Sequence, residues 1–343
     1  KSGVSFRWTN HLLRVHAKRR HGQRPPPRLL AFQHLSALGN SGVKRPVSVF
    51  VGLFLRLLNW VPDALAMRIA SLAATLLVKR NADIAKVSRI NIRHCFPELD
   101  REAERACLHD CLTHSALLPF ELAYLQHRPI DKLLEKVVTV DGEQLLKDAW
   151  HEGNGVVLLM PHFGCWEFLS VYLGQRYSIS ALYDPPNVAA LEASLLNMRE
   201  RQGANMHPTN TAGMRGLMRG LKAGDVVVVL PDQVPASSAS AVVAPFFAQN
   251  ALTMLLGKRL LKVGSPQVLM AAAWRDLSAG DIRYRLSFER PPAEIYDADD
   301  GAHAEAINTA IEKIVRRDPA QYQWPYKRFR RLGGDQADIY RRQ

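Results

Sequence analysis

The run His162-Phe163-Gly164-Cys165-Trp166-Glu167 holds a base and a carboxylate five positions apart, directly after an apolar segment, Gly155–Met160. An imidazole can take a proton from an alcohol near neutral pH, and a carboxylate bonded to its other nitrogen fixes the tautomer and stabilises the imidazolium. On one continuous helix, positions five apart differ by about 140° and share no face. The two groups therefore meet only if Pro161 ends a strand, His162 sits in the turn and Glu167 lies on the first turn of the next helix. This geometry predicts a His162–Glu167 dyad, with backbone N–H groups at the helix start as donors to a developing oxyanion. The plainer alternative is a turn histidine beside a solvated helix cap. Cys165 has no second base near it and reads as a small packed thiol.

Four further positions bear polar groups that could meet a ligand. Asp232 follows the apolar run Val226–Leu230, so it falls at a strand end, near His162 if the strands are parallel. There it can orient Arg199 or a substrate, or simply form a turn beside proline. Arg199 and Arg201 lie about 200° apart on a helix, so at most one points into a site. Thr253 heads an amphipathic stretch, Leu252–Val263, as either a helix cap or a substrate contact.

The elements that position these residues change character along the chain. From Pro46 to Arg128 the pattern is helical, with breaks at Pro62 and near Pro97 and an N-cap at Asp100. After Pro129, short β-branched runs alternate with helical stretches. Strands are expected at Val137–Val140, Val156–Met160, Ile179–Tyr183, Val226–Leu230, Gln267–Ala273 and Ile282–Phe288. Helices are expected at Glu143–His151, Ala189–Gln202, Gly213–Lys222, Leu252–Val263 and Ala302–Arg316. The alternation predicts an α/β fold with a mainly parallel mixed sheet flanked by helices, behind a helical N-terminal section that associates with membrane.

Ten Lys/Arg and no acid fall in residues 1–45, so most of the net charge of +13 sits there, and the segment reads as a disordered basic leader. The helical section then spans 46–128, the α/β domain 129–332 and a tail 333–343. The apolar runs Val47–Leu58 and Ala64–Val78 are each shorter than the roughly 20 residues of a membrane span. Their basic flanks fit an interfacial hairpin, or a hairpin packed on the core. Cys107 and Cys111 share a helical face but supply at most half a metal site, and with Cys95 and Cys165 they read as buried free thiols. No ligand cluster argues for a metal, and no cofactor is expected. The run Tyr326-Lys-Arg-Phe-Arg-Arg331 mixes bases and aromatics, but no nucleic-acid fold signature accompanies it, so no nucleic-acid partner is expected.

Taken in order, several motifs resemble those of the lipid A late acyltransferases, within the glycerolipid acyltransferase superfamily. His162-x4-Glu167 resembles the His-x4-Asp/Glu motif, and Arg199-Glu-Arg201-Gln-Gly203 the Arg-rich second motif. Pro231-Asp232-Gln233-x-Pro235 resembles the Asp-Gln motif. Ala244-Pro-Phe-Phe247 with Ala251-Leu-Thr253, and Tyr322-Gln-Trp324 with Lys327-Arg328-Phe329, resemble the remaining signatures. The similarity spans residues 46–332; members often have Asn where this chain has Cys165. The resemblance implies transfer of a fatty acyl chain from acyl carrier protein to a hydroxyl of a lipid A precursor, at the cytoplasmic face of the inner membrane. It implies His162 and Glu167 as catalytic residues, and Arg199, Asp232, Gln233 and Thr253 as substrate-binding residues. An arginine fork suits the phosphates of such a lipid. The alternatives are a lysophosphatidic acid acyltransferase, whose motif usually has Asp at the second position, and a non-catalytic module that binds membrane or carrier protein.

Overall fold

Val156-Val-Leu-Leu159 and Val226-Val-Val-Val229 are buried at every position, as expected of central strands covered on both faces. The computed structural model describes residues 45–184, 189–235, 237–330 and 339–340; the basic leader and most of the C-terminal tail lie outside them. Four helices come first: α1 (Arg45–Asn59), α2 (Asp63–Lys79), α3 (Asp83–Cys95) and α4 (Arg101–His127). Asp100 caps α4 as expected, accepting from the N–H groups of Glu102 and Ala103. Then follow α5 (Ile130–Leu134), β1 (Val137–Asp141), α6 (Glu143–His151), β2 (Val156–Leu159), α7 (Trp166–Gly174), β3 (Ile179–Tyr183), α8 (Ala189–Arg201) and β4 (Ala204–Pro208). The chain continues with α9 (Thr211–Lys222), β5 (Val226–Val229), β6 (Ala241–Phe246), β7 (Gln249–Met254), α10 (Leu256–Leu261), β8 (Gln267–Asp276), β9 (Arg283–Glu289) and α11 (Asp300–Arg317).

Seven strands form one sheet in the order β1-β9-β8-β2-β5-β3-β4. The pairings are parallel except β8 with β9, which makes the sheet mixed but mainly parallel. Alternation along β2 sends Val157 and Leu159 into one core layer and Val156 and Leu158 into the other. The first layer lies under α9, α10 and α11; the second lies under α4 and α7.

Two expectations need correction. The edge strand β4 was not anticipated, because Ala-Asn-Met-His-Pro is too polar to read as a strand and pairs on one side alone. The predicted helix over Leu252–Val263 is instead the end of β7 followed by the short α10. β6 and β7 form a separate antiparallel hairpin. Its turn places Phe247 and Ala248 at φ of 51° and 57°, a conformation usually signalled by Asn or Gly, so the sequence conceals it.

Among the described residues, no helix is long and apolar enough to cross a membrane. α2 is nevertheless two-faced: Ala66, Ala70 and Ala74 are fully buried, whereas Leu65, Ile69, Leu72 and Leu76 are exposed. Leu53, Phe54 and Leu57 of α1 are exposed as well, and Trp60 just beyond it is 83% exposed. The hairpin therefore packs by its alanine face and leaves a concentration of large apolar side chains exposed on the other.

Candidate active site

β2 and β5 are adjacent, parallel and in register, with Leu159 opposite Val229. Three residues past each stand His162 and Asp232, so the sheet itself delivers the two side chains to one point. The turn carrying His162 is clamped from both sides. Gly164 N–H donates to the Gln321 carbonyl at 2.9 Å, Cys165 N–H to that of Ala273 at 2.9 Å, and Gln323 N–H to that of His162 at 3.1 Å. Gly164 has φ of +56°, and a Cβ there would lie 2.0 Å from the Ala273 carbonyl oxygen, so only glycine fits.

Asp232 is 2% exposed and grips His162 twice. It accepts from the backbone N–H at 2.8 Å and from ring Nδ1 at 2.7 Å. Burial pushes the Asp232 carboxyl up, but the charge His162 carries when protonated and its hydrogen bonds outweigh this and hold the carboxyl below the usual carboxylate range. An ionised carboxylate only accepts, so the ring proton resides on Nδ1 and Nε2 presents its lone pair. Gln233 Nε2 lies 3.1 Å from that lone pair and donates to it. The Trp166 ring meets the imidazole edge-on at 5.2 Å.

Glu167 has a different partner from the one its spacing suggested. It is 8% exposed on the first turn of α7, and both its oxygens accept from Arg199 of α8, one of them from Nε at 3.0 Å. The expectation that Glu167 orients His162 is therefore corrected: Asp232 holds the ring, because the parallel register brings it there. Arg199 is the arginine of the 199/201 pair that faces inward, and Arg201 instead donates to the Leu125 carbonyl. Burial works against the Arg199 charge, but Glu167 raises its pKa overall.

These groups converge on a cavity of about 370 Å³. His162, Gln233, Glu167 and Arg199 stand on its wall, and Leu169, Leu173, Ile179, Met206 and Val228 line much of the rest. A base with a free lone pair, a guanidinium and an apolar chamber together suit acyl transfer: the base deprotonates a nucleophile and the chamber holds an alkyl chain.

The match to known proteins agrees. The family model for bacterial lipid A biosynthesis acyltransferases matches residues 43–331. The chain belongs to this family. It is 27% identical over 277 residues to the lipid A biosynthesis palmitoleoyltransferase of Escherichia coli strain K12, covering 80% of this chain and 87% of that protein. It is 24% identical to the lauroyltransferase of the same strain (72% and 79% covered) and 25% identical to the myristoyltransferase (74% and 77% covered).

Within this acyltransferase, the remaining predicted positions fall away from the reacting groups. Thr253 lies in β7, not at a helix start, and is fully buried. It accepts from Arg328 Nη2 at 2.9 Å and from Asn308 Nδ2 at 2.9 Å, and it is not part of the cavity wall. Arg328 is itself 2% exposed and also donates to the Leu252 carbonyl at 2.6 Å, so this arginine of the basic C-terminal run braces the β6–β7 hairpin from inside. Cys165 is buried, and burial pushes its thiol well above the ordinary range, which suits a packed residue rather than a nucleophile. The backbone N–H groups of Phe163, Gly164 and Cys165, which precede α7, are all committed to carbonyls. Among the described residues, no group of three His, Cys, Asp or Glu side chains is arranged to hold a metal ion.

Proposed function

We propose that this acyltransferase moves a fatty acyl chain from acyl carrier protein to a hydroxyl of a lipid A precursor, with His162 as general base and Asp232 as its positioning residue. The observation that carries the reading is the 2.7 Å contact between the His162 ring and buried Asp232, with Nε2 turned toward an apolar cavity. The acceptor hydroxyl takes the place of the Gln233 amide on Nε2 and loses its proton to the ring as its oxygen attacks the thioester carbon. The tetrahedral intermediate then expels the thiolate, which recovers that proton from the imidazolium. The products are an ester and a free thiol. The displaced Gln233 amide and the Arg199 guanidinium are the donors close enough to meet the oxyanion or a phosphate of the acceptor. A base of this kind contributes about 10²- to 10⁴-fold, and holding both reactants in one cavity adds to it.

Membrane contact fits the same reading. The exposed leucines of α1 and α2, with Trp60, form an apolar face suited to lie in the lipid boundary at the cytoplasmic side of the inner membrane. The test is transfer from acyl-carrier-protein donors to a tetra-acylated lipid A precursor by the parent protein, His162→Ala and Asp232→Asn. Transfer by the parent and its collapse in both variants is expected. Undiminished transfer in both would sink the dyad, and no transfer by the parent to any lipid hydroxyl would sink the reaction.

A further inference from the structure

Two helices that begin at the cavity carry cations on their outer sides and no acid. In α9 (Thr-Ala-Gly-Met-Arg-Gly-Leu-Met-Arg-Gly-Leu-Lys), Arg215, Arg219 and Lys222 follow at i, i+4 and i+7. They therefore stack along one side, and all three are exposed, while Leu217 and Leu221 go to the core. α10 adds exposed Arg259, and Lys262 follows just past its end. The side chains of Arg215, Arg219, Lys222 and Arg259 make no ion pair or hydrogen bond among the described residues. Lys258 is different, since it pairs with Asp300.

Leu217 and Leu221 of α9 share one core layer with Leu260 of α10, so the two helices cover the same face of the sheet. Both start at the cavity. Thr209, exposed and two residues before α9, lines it, as do Met254 and Leu256 at the start of α10. The rim here carries one acid, Asp184, which accepts from the Thr209 hydroxyl at 3.1 Å.

An acyl thioester that threads its chain into the cavity leaves its carrier outside, against this rim. We propose that Arg215, Arg219 and Lys222, joined by Arg259, are the docking surface for the acidic carrier protein that presents the acyl thioester. The proposal rests on the carrier-protein donor proposed above. Arg215 to Lys222 spans about 10 Å along the helix, enough for two turns of an acidic partner helix. A lipid surface is the less fitting partner. Helices that lie on membranes combine cations with apolar anchors, and neither α9 nor α10 exposes a large apolar side chain, whereas α1 and α2 do. Complementary charge of this kind speeds encounter and sets orientation more than it adds final affinity.

The test is the full-length triple variant Arg215→Glu, Arg219→Glu and Lys222→Glu. It is assayed on one lipid acceptor with two donors: acyl carrier protein and the same acyl chain on pantetheine. The expected result is a rise of about tenfold or more in KM for the carrier-bound donor, with pantetheine-donor rates held within about twofold. Arg215→Lys with Arg219→Lys keeps the parent KM. Equal loss with both donors, or no change with either, overturns the proposal. So does loss of binding to phosphatidylglycerol vesicles at an unchanged carrier KM, which assigns the surface to membrane. A parent enzyme that uses acyl-pantetheine but not acyl carrier protein refutes the donor itself and, with it, the docking surface.

Discussion

Asp232, behind the cavity wall, and Glu167, on it, are each bonded through both oxygens, yet they hold opposite kinds of partner. Asp232 holds a ring that gains and loses a proton; Glu167 holds a guanidinium that stays charged. The first arrangement can cycle during a reaction. The second fixes a cation in place, where it can meet an anionic group without altering the proton balance. The difference shows that the carboxylate nearest in sequence is not the one the sheet brings to the base.

The largest expected effects break this contrast directly. His162→Ala should lower kcat by about 10²- to 10⁴-fold. Asp232→Asn, which keeps the shape but favours the wrong tautomer, should fall in the same range. Steady-state kinetics on the purified variants decide it, and a milder effect for Asp232→Asn than for Glu167→Gln on kcat would reverse the two roles. Next comes Glu121, fully buried and bonded through both oxygens to buried Arg275 at 2.7 Å each. It has the Glu167–Arg199 geometry, but neither residue is on the wall of the cavity beside His162. Glu121→Ala leaves a buried cation alone and should cost about 3–5 kcal/mol in a urea titration. Glu167→Gln should instead be read mainly in KM for the lipid acceptor, by about 10- to 100-fold, from the roughly 1.5–3 kcal/mol that a charged hydrogen bond contributes.

The smallest effect concerns a histidine without a carboxylate. His114 has its Nδ1 buried with no hydrogen-bond partner among the described residues, and burial, with Arg275 adding to it, pushes its pKa down to about 3. Below about pH 6.5 the unfolded chain takes up a proton that folded His114 refuses until about pH 3, so folding stability falls across that window. His114→Gln should lose less stability between pH 7 and pH 5 than the parent does, measured as the shift in urea midpoint. An equal shift in both proteins would mean that His114 is not the group responsible.

Much of this was legible in the chain itself. The runs at 156–160 and 226–230 read as buried strands, so His162 and Asp232 each fall at a strand end. What sequence could not supply was strand order. Only the adjacency of β2 and β5 decides that Asp232 reaches the imidazole, and only the tertiary placement of Arg199 beside the first turn of α7 hands it Glu167. Thr253 was misread for a local reason: its hairpin turns on Phe247 and Ala248, where neither glycine nor asparagine marks the reversal. The bracing role of Arg328 was not legible for a similar reason, since nothing in a run of cations marks which one is buried.

The in-register pairing of β2 with β5 has a consequence in time as well as in space. His162 and Asp232 are 70 residues apart, with three helices and two further strands between β2 and β5. Bringing them together requires a long loop to close, and such non-local pairings form slowly. After dilution from denaturant, recovery of acyl transfer should therefore trail the return of helical signal and keep pace with assembly of the central sheet. Catalysis becomes a clock for one strand pairing.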